Sequence, residues 1–134
     1  MIGSMTDELL QTALAAREKA HAPYSKFKVG AAVRGENGQI FSGCNIENAA
    51  YPEGICAETA AIAAMVLAGG SKIMEILVVG VSDRPVTPCG GCRQRIREFA
   101  GPHTPIHIAN PDGVLETLTL EQLLPQSFGP DNLS

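Results

Sequence analysis

Two short stretches of the sequence carry residue types that could do metal chemistry. The first, CAE, places Glu58 two positions after Cys56, and the second, PCGGC, separates Cys89 from Cys92 by two glycines. Two thiolates at C-x-x-C spacing can hold one Zn²⁺, and the glycines let the backbone fold tightly around the ion. A single C-x-x-C is equally typical of a thioredoxin-like redox pair. This motif alone leaves both interpretations open.

Each stretch is expected to begin a helix, which gives the cysteines a common electrostatic setting. Backbone N–H groups are free at a helix N-terminus, where the dipole favours anionic ligands. The three thiolates of Cys56, Cys89 and Cys92 could therefore converge on zinc between two helix ends. Three protein ligands leave a fourth position for water, whose pKa the metal lowers. Glu58 would then serve as general acid and base beside that water.

A structural Cys₄ site completed by Cys44 is the main alternative. Structural zinc usually draws its ligands as close pairs, whereas Cys44 and Cys56 are twelve positions apart. Cys44 is instead expected to be a small buried residue of a strand. Taken alone, Glu58 would be a first-turn carboxylate that favours the helix dipole. The three candidate ligands beside it favour the catalytic interpretation.

Composition and charge narrow the classes of partner. The 134 residues are 45% hydrophobic and 18% charged, which is typical of one domain, 1–134, with a packed core. A net charge of −4 provides no basic surface for nucleic acid. No apolar run reaches the roughly 20 residues of a membrane helix, and the N-terminus lacks the features of a secretory signal. We expect a cytoplasmic protein with no nucleic-acid or membrane partner, whose cysteines are thiols or metal ligands.

Hydrophobic periodicity and turn signals predict the elements that must position these residues. In order they are a helix capped by Thr6 and Asp7 and running to about Ala20, strands 27–34 and 39–44 around the turn GENG, a helix 56–68 stopped by Gly69 and Gly70, a central strand 76–82, a helix 92–100, a strand over PIHIAN and a last helix 119–124. The second helix is apolar nearly all round, which predicts that it is largely buried. The order predicts an α/β fold, a single-domain mixed β-sheet with helices on both faces.

Four motifs in the same order point to a known family. They are PYSKFKVGAAV, GCNIENAAYPEGICAE, PCGGCRQ and LLPQSF. With them the chain resembles the small homotetrameric cytidine deaminases over nearly its full length, and C-x-E followed by P-C-x-x-C matches the pattern of zinc nucleobase deaminases. The resemblance implies an α/β/α fold, one Zn²⁺ per subunit and hydrolysis of cytidine or deoxycytidine to the uridine product and ammonia, as in pyrimidine salvage.

The resemblance also implies roles for residues outside the metal motifs. Phe27 would stack on the pyrimidine ring. Asn45 and Glu47 would form hydrogen bonds with the ribose hydroxyl, as an amide donor beside a carboxylate acceptor can. Tyr51 would lie near the sugar, and the backbone of Ala57 would contact the base edge.

Phe128 matches the C-terminal aromatic residue that, in this family, reaches into the active site of a neighbouring subunit. The resemblance therefore implies a homotetramer with shared active sites and a small-molecule nucleoside as its substrate. This role would also explain an apolar ring in an otherwise polar tail.

One position departs from the family pattern. Many relatives with three cysteine ligands have Arg directly after the catalytic Glu, where this chain has Thr59. Three thiolates on Zn²⁺ leave one net negative charge, which weakens the metal as a Lewis acid. We expect the two helix N-termini and Arg93 to offset this charge, and the Thr59 hydroxyl to donate a hydrogen bond to a ligand sulfur.

Three other functions stay open from the residues themselves. A deaminase of another aminopyrimidine nucleoside, such as blasticidin S, would share the zinc and Glu pattern, although Asn45 and Glu47 favour an ordinary ribose. A zinc-stabilised protein without catalysis and a C-x-x-C redox protein belong to different classes. The redox alternative predicts no metal.

Overall fold

A five-stranded mixed sheet forms the centre of the structure, a computed structural model that describes residues 2–81 and 84–133, with backbone alone for 2–4. The strands are β1 (Gly30–Gly35), β2 (Ile40–Cys44), β3 (Ile73–Val79), β4 (Pro105–Asn110) and β5 (Gly113–Thr119). Their order across the sheet is β2-β1-β3-β4-β5. The β3–β4 pair is parallel and the other pairs are antiparallel. The β-branched run near residue 76 is therefore the central strand, as predicted.

Among the described residues, four helices cover the two faces of this sheet. They are α1 (Ile2–Arg17), α2 (Ala57–Leu67), α3 (Gly90–Phe99) and α4 (Leu120–Leu123), with short 3₁₀ turns at Tyr51–Glu53 and Pro130–Asn132. Apolar residues of α1 pack on one face against β1, β3 and β4. Helices α2, α3 and α4 share the opposite face and one hydrophobic core. This arrangement confirms the predicted mixed α/β sheet with helices on both faces.

Close contact between β2 and α2 fixes the helix that carries Glu58. A Cβ atom at Gly43 would lie 2.4 Å from the backbone nitrogen of Ala61 and 2.6 Å from the carbonyl oxygen of Ala57. Only glycine fits there, because the side chain of any other residue would push α2 away from the sheet. Gly69, with φ of 93°, lies just beyond the C-terminus of α2, as its predicted stop.

Several observed elements differ from the predicted ones. Helix α1 begins at Ile2 and ends at Arg17, so Thr6 and Asp7 lie inside it and Ala20 lies outside. Strand β1 begins at Gly30 rather than 27, because the Val29 N–H donates its hydrogen bond to the Asn45 side chain and not to a neighbouring strand. Strand β5 was not predicted, since its largely exposed residues lack the alternation of a half-buried strand. Pairing with β4 creates it.

Smaller differences affect the elements next to the metal motifs. Strand β3 begins at Ile73 and ends at Val79, and position 82 of the predicted strand lies outside the described residues. Helix α3 begins at Gly90, so Cys92 belongs to its first turn. The predicted last helix is present, and Thr119 caps it in a box with Gln122, the third residue of α4.

Burial of α2 is less complete than its composition predicted. One stripe is buried, namely Ala57, Glu58, Ala61, Ile62 and Met65. On the outer side Val66 is exposed, and Leu67 is 91% exposed. The prediction of a largely buried helix is thus wrong for the C-terminal half of α2 within a single chain, whose apolar outer side faces solvent.

Candidate active site

Helices α2 and α3 begin beside each other, and their first residues form a cluster of thiols. Cys56 is the N-cap of α2, Cys89 is the N-cap of α3, and Cys92 lies in the first turn of α3. The three Sγ atoms all lie within 4.8 Å of one another, and those of Cys56 and Cys89 are 3.8 Å apart. Tertiary packing therefore brings Cys56 to Cys89 and Cys92, which are more than thirty positions away in the chain.

The geometry of this cluster fits zinc. A tetrahedral Zn²⁺ with Zn–S bonds of about 2.3 Å requires ligand sulfurs about 3.8 Å apart. Neither N-cap cysteine uses its side chain to cap its own helix, so the sulfurs remain available to a metal. Within residues 2–81 and 84–133 this is the one group of three or more His, Cys, Asp or Glu residues close enough to share an ion. Cys44, half-buried in β2, lies outside it, so the Cys₄ alternative has no support here.

Hydrogen bonding shifts the pKa values of two of these thiols in opposite directions. The contact with Cys92 lowers the pKa of Cys56, and the same contact with Cys56 raises the pKa of Cys92. Cys92 is the buried member of the cluster. Because zinc binds cysteine as thiolate, a cation held here would displace the thiol protons.

Glu58 is the one buried charged side chain in the described part of the chain, with only 4% of its surface exposed. Burial raises the pKa of its carboxyl group, while a hydrogen bond with Cys92 acts in the opposite direction. A carboxylate is costly to bury without a partner. One placed beside three thiols at the start of α2 is a strong candidate for a functional group.

The residues expected to balance the thiolate charge have different surroundings. Thr59 Oγ1 lies 3.7 Å from Cys92 Sγ, in agreement with the expected contact. The guanidinium of Arg93 instead donates hydrogen bonds to the carbonyls of Pro88, at 2.7 Å, and Leu123, at 2.9 Å, and to Thr87 Oγ1. Arg93 therefore fastens the loop before Cys89 to α4, and its hydrogen bonds do not go to sulfur.

A cleft of about 550 Å³ opens beside Cys56. Its lining residues are Tyr24, Ser25, Asn45, Ile46, Glu47, Asn48, Tyr51, Gly54, Ile55 and Cys56. It has the size and mixed polarity typical of a small-molecule site. Of the residues expected to contact a substrate, Asn45, Glu47 and Tyr51 line this cleft. Phe27, Ala57 and Phe128 do not line it.

Asn45 and Glu47 hold the segment that forms one wall of the cleft. Asn45 Oδ1 accepts a hydrogen bond from the Val29 N–H at 2.9 Å, and its Nδ2 donates to the Phe27 carbonyl at 2.8 Å. Glu47 accepts from the N–H groups of Tyr24 and Ser25 and from the Ser25 hydroxyl. The bond from Ser25 lowers the pKa of Glu47. Both side chains therefore have a structural task besides any contact with a ligand.

Sequence reasoning missed two residues of this wall. The Ser25 hydroxyl donates to Glu47 and accepts from the Phe27 N–H at 3.0 Å. Tyr24 packs edge-on against Tyr51, with the ring centroids 6.1 Å apart. Both occur in the quoted PYSKF stretch, and the position of Ser25 two residues before Phe27 is typical of a local turn bond. The contacts of Ser25 with Glu47 and of Tyr24 with Tyr51 join residues more than twenty positions apart, and no local sequence pattern predicts them.

Comparison with protein families gives a match over most of the chain. The model described as "Cytidine and deoxycytidylate deaminase zinc-binding region" matches residues 4–107. A cytidine deaminase of Sporosarcina psychrophila is 43% identical over 128 residues, which cover 96% of this chain and 94% of the relative. One from Halalkalibacterium halodurans is 38% identical over 126 residues, which cover 94% and 96%.

Solved structures show the same similarity in three dimensions. A crystal structure of cytidine deaminase from Burkholderia pseudomallei superposes with a TM-score of 0.86 at 42% identity, covering 91% of this chain and 98% of that one. The Mycobacterium tuberculosis enzyme gives 0.80 at 35% identity, covering 92% and 96%. In the part of the chain that the structure describes, no helix has the length and apolar character needed to cross a membrane.

Proposed function

The chain belongs to the cytidine and deoxycytidylate deaminase family, and on that premise we propose how its residues carry out the reaction. Its function is the zinc-dependent hydrolytic deamination of cytidine and deoxycytidine to uridine and deoxyuridine, with release of ammonia. The observation that carries the proposal is the cluster of three thiols with buried Glu58 at the N-terminus of α2. In a member of this family, the C-x-x-C motif supplies two of the three zinc ligands and is not a redox pair.

Cys56, Cys89 and Cys92 hold the zinc in this proposal. When bound, zinc lowers the pKa of a water molecule in its open position and so supplies a nucleophile near neutral pH. The N-termini of α2 and α3 direct free N–H groups and the positive ends of their dipoles towards the thiolates. They offset part of the negative charge that three thiolates bring.

Glu58 is the proton carrier. Its carboxylate takes one proton from the attacking water and delivers it to N3 of the cytosine ring. It then moves the second proton of that water, now on the C4 hydroxyl, to the amino group, which leaves as ammonia. The reaction consumes one water and adds its oxygen at C4, where the amino group leaves. Burial supports this role, because the raised pKa of Glu58 brings its proton affinity closer to that of the groups it must serve.

The cleft beside Cys56 receives the nucleoside. Asn45 and Glu47 face it from the same wall, so their remaining hydrogen-bonding capacity can contact sugar hydroxyls while they hold residues 24–29. Tyr51 lies near the sugar, and the Ala57 backbone at the start of α2 contacts the base edge. Phe27 stacks on the pyrimidine from the segment that Asn45 anchors.

The complete enzyme is a homotetramer with shared active sites. Support comes from apolar side chains that a single chain leaves in water: Tyr51 is 77% exposed, Phe128 58% and Phe27 39%, and the outer side of α2 is apolar. Assembly with other copies of the chain would remove such side chains from water. Phe128 reaches a neighbouring subunit's site. Residues 1–134 act as one deaminase domain, and its thiols require a reducing compartment such as the cytoplasm.

An absorbance assay with cytidine tests this function. The zinc-loaded protein should convert cytidine and deoxycytidine to their uridine products with stoichiometric release of ammonia, and should leave blasticidin S unchanged. Turnover of blasticidin S without turnover of cytidine would assign the chain to the other nucleoside deaminases. A metal-loaded protein that converts none of these substrates would contradict the proposal.

Replacing Thr59 with valine should weaken zinc binding. Valine keeps the shape of threonine but removes the hydroxyl that lies 3.7 Å from Cys92 Sγ. Groups that hydrogen-bond to metal ligands typically change metal affinity by about 10- to 100-fold, and we expect the lower end because sulfur is a weak acceptor. Competition with a chelator measures the zinc Kd, and Thr59→Ser should restore it. Equal affinities in the valine variant and the native protein would show that the hydroxyl has no such role.

A further inference from the structure

The C-terminal tail of the chain is fastened to the outer side of α3 by polar side chains. Gln94 Nε2 donates a hydrogen bond to the Phe128 carbonyl at 2.8 Å. Arg97 Nε donates to Ser127 Oγ at 2.8 Å, and Arg97 Nη2 pairs with Asp131 Oδ1 at 2.9 Å. One arginine therefore grips the tail on both sides of Phe128.

Gly129 allows the tail to lie close to the Arg97 guanidinium. A Cβ atom at this position would lie 2.3 Å from both Cζ and Nη2 of Arg97, so the guanidinium occupies the space of a side chain. The Gly129 N–H donates to Asn132 Oδ1 at 2.8 Å, which turns the chain and brings Asp131 back to the same guanidinium. A planar group with several fixed donors suits such a double contact better than a flexible ammonium.

The grip leaves the Phe128 ring facing outward. The Phe128 carbonyl and the Ser127 hydroxyl are both bound to α3, yet 58% of Phe128 is exposed. Exposure of a large apolar ring is unfavourable in water, and a loose tail could fold the ring against its own chain. The contacts of Arg97 and Gln94 oppose that collapse. They hold Phe128 beside α3, the helix that has Cys89 as its N-cap and Cys92 in its first turn.

We propose that Arg97 is a positioning residue, which docks the tail on α3 so that Phe128 is presented in a fixed orientation to the active site of a second copy of this chain. The inference rests on the proposed function, in which Phe128 contributes to a neighbouring site. Its new content is that Arg97, whose contacts are with the tail, sets the substrate affinity of that site through Ser127, Gly129 and Asp131.

The test compares zinc-loaded native protein with Arg97→Met, Arg97→Lys and the control Arg95→Met. Arg95 lies on the same helix, and its guanidinium is near Gly91 rather than the tail. Hydrogen exchange of the amides of residues 124–133 reports docking without any activity. In Arg97→Met we expect roughly tenfold faster exchange in this segment. Arg97→Lys, which can keep only part of the contact, should fall between, and Arg95→Met should match the native protein.

Steady-state kinetics give the second measurement. Arg97→Met should raise the KM for cytidine by roughly fivefold or more while kcat stays within about twofold, because the loss lies in substrate binding rather than in proton transfer. Arg97→Lys should recover part of the KM. If Arg97→Met folds poorly, the pair Ser127→Ala with Asp131→Asn removes the same contacts from the exposed tail and should give the same two effects.

The outcomes separate this inference from the proposed function. Unchanged exchange in the tail of Arg97→Met, or faster exchange with unchanged KM while Phe128→Ala does raise KM, overturns the role of Arg97 and leaves the function intact. An unchanged KM in Phe128→Ala itself would show that the ring has no part in the neighbouring site, which removes the premise as well. Parallel changes in exchange and KM, absent in Arg95→Met, support the inference.

Discussion

Glu58→Gln should lower kcat for cytidine by about three orders of magnitude while zinc stays bound. Glutamine has the shape of the native side chain and keeps a hydrogen-bonding group in the buried position at the start of α2. It cannot accept and release the proton that must pass from water to the ring and the amino group. The measurement is the initial rate of cytidine loss together with metal analysis of the same sample.

Metal content separates this prediction from a loss of structure. Glu58 is expected to carry protons without binding the metal, so Glu58→Gln should hold one zinc per chain, and its thermal midpoint should stay close to that of the native protein. Glu98→Gln, an exposed carboxylate on α3, serves as the control. Native rates in Glu58→Gln would refute the assignment of Glu58 as the proton carrier. Loss of zinc along with activity would make Glu58 a part of the metal site.

Cys92→Ser should abolish zinc binding at micromolar metal and with it the deaminase activity. Cys92 is the buried member of the thiol cluster, so no water can easily take its place as a ligand. Because a bound metal stabilises the folded state by mass action, the variant should also unfold at a lower temperature than the zinc-loaded native protein. Removal of zinc from the native protein with a chelator should reproduce both effects, and added Zn²⁺ should reverse them.

Cys44→Ser provides the matched control, since Cys44 is half-buried in β2 and lies outside the cluster. It should keep one zinc and native turnover. A zinc content of one in Cys92→Ser, or a loss of zinc in Cys44→Ser, would contradict the ligand set. Full activity in the metal-free native protein would refute the zinc-dependent reaction as a whole.

Local patterns predicted the elements that have strong signals of their own. The β-branched run before residue 80 is a central strand because burial on both faces leaves a continuous apolar sequence. The hairpin of β1 and β2 follows from the turn GENG between two apolar stretches. Strand β5 has no such signal, because an exposed edge strand depends on hydrogen bonds to its neighbour rather than on its own composition.

For the candidate site, residue types and spacing were enough to nominate the metal ligands and Glu58. Few protein functions use both a C-x-x-C pair and a carboxylate two residues after another cysteine. The four family motifs in order exclude most of these functions. The sequence spacing of Asn45 and Glu47 could not predict that both side chains also hold residues 24–29 in place. This role depends on the path of residues 24–29, which pass within hydrogen-bonding distance only in the folded chain.

The sequence by itself determined which chemistry this protein can perform, because ligand type and motif spacing depend on covalent structure alone. The tertiary structure decided whether those groups meet. Packing of α2 and α3 on one face of the sheet, with Gly43 allowing α2 to lie close to β2, brings Cys56 within 3.8 Å of Cys89. The same packing brings the Arg93 guanidinium to the Leu123 carbonyl and the Arg97 guanidinium to Ser127 in the C-terminal tail. Such contacts join residues about thirty positions apart, and only the shared core fixes their distance.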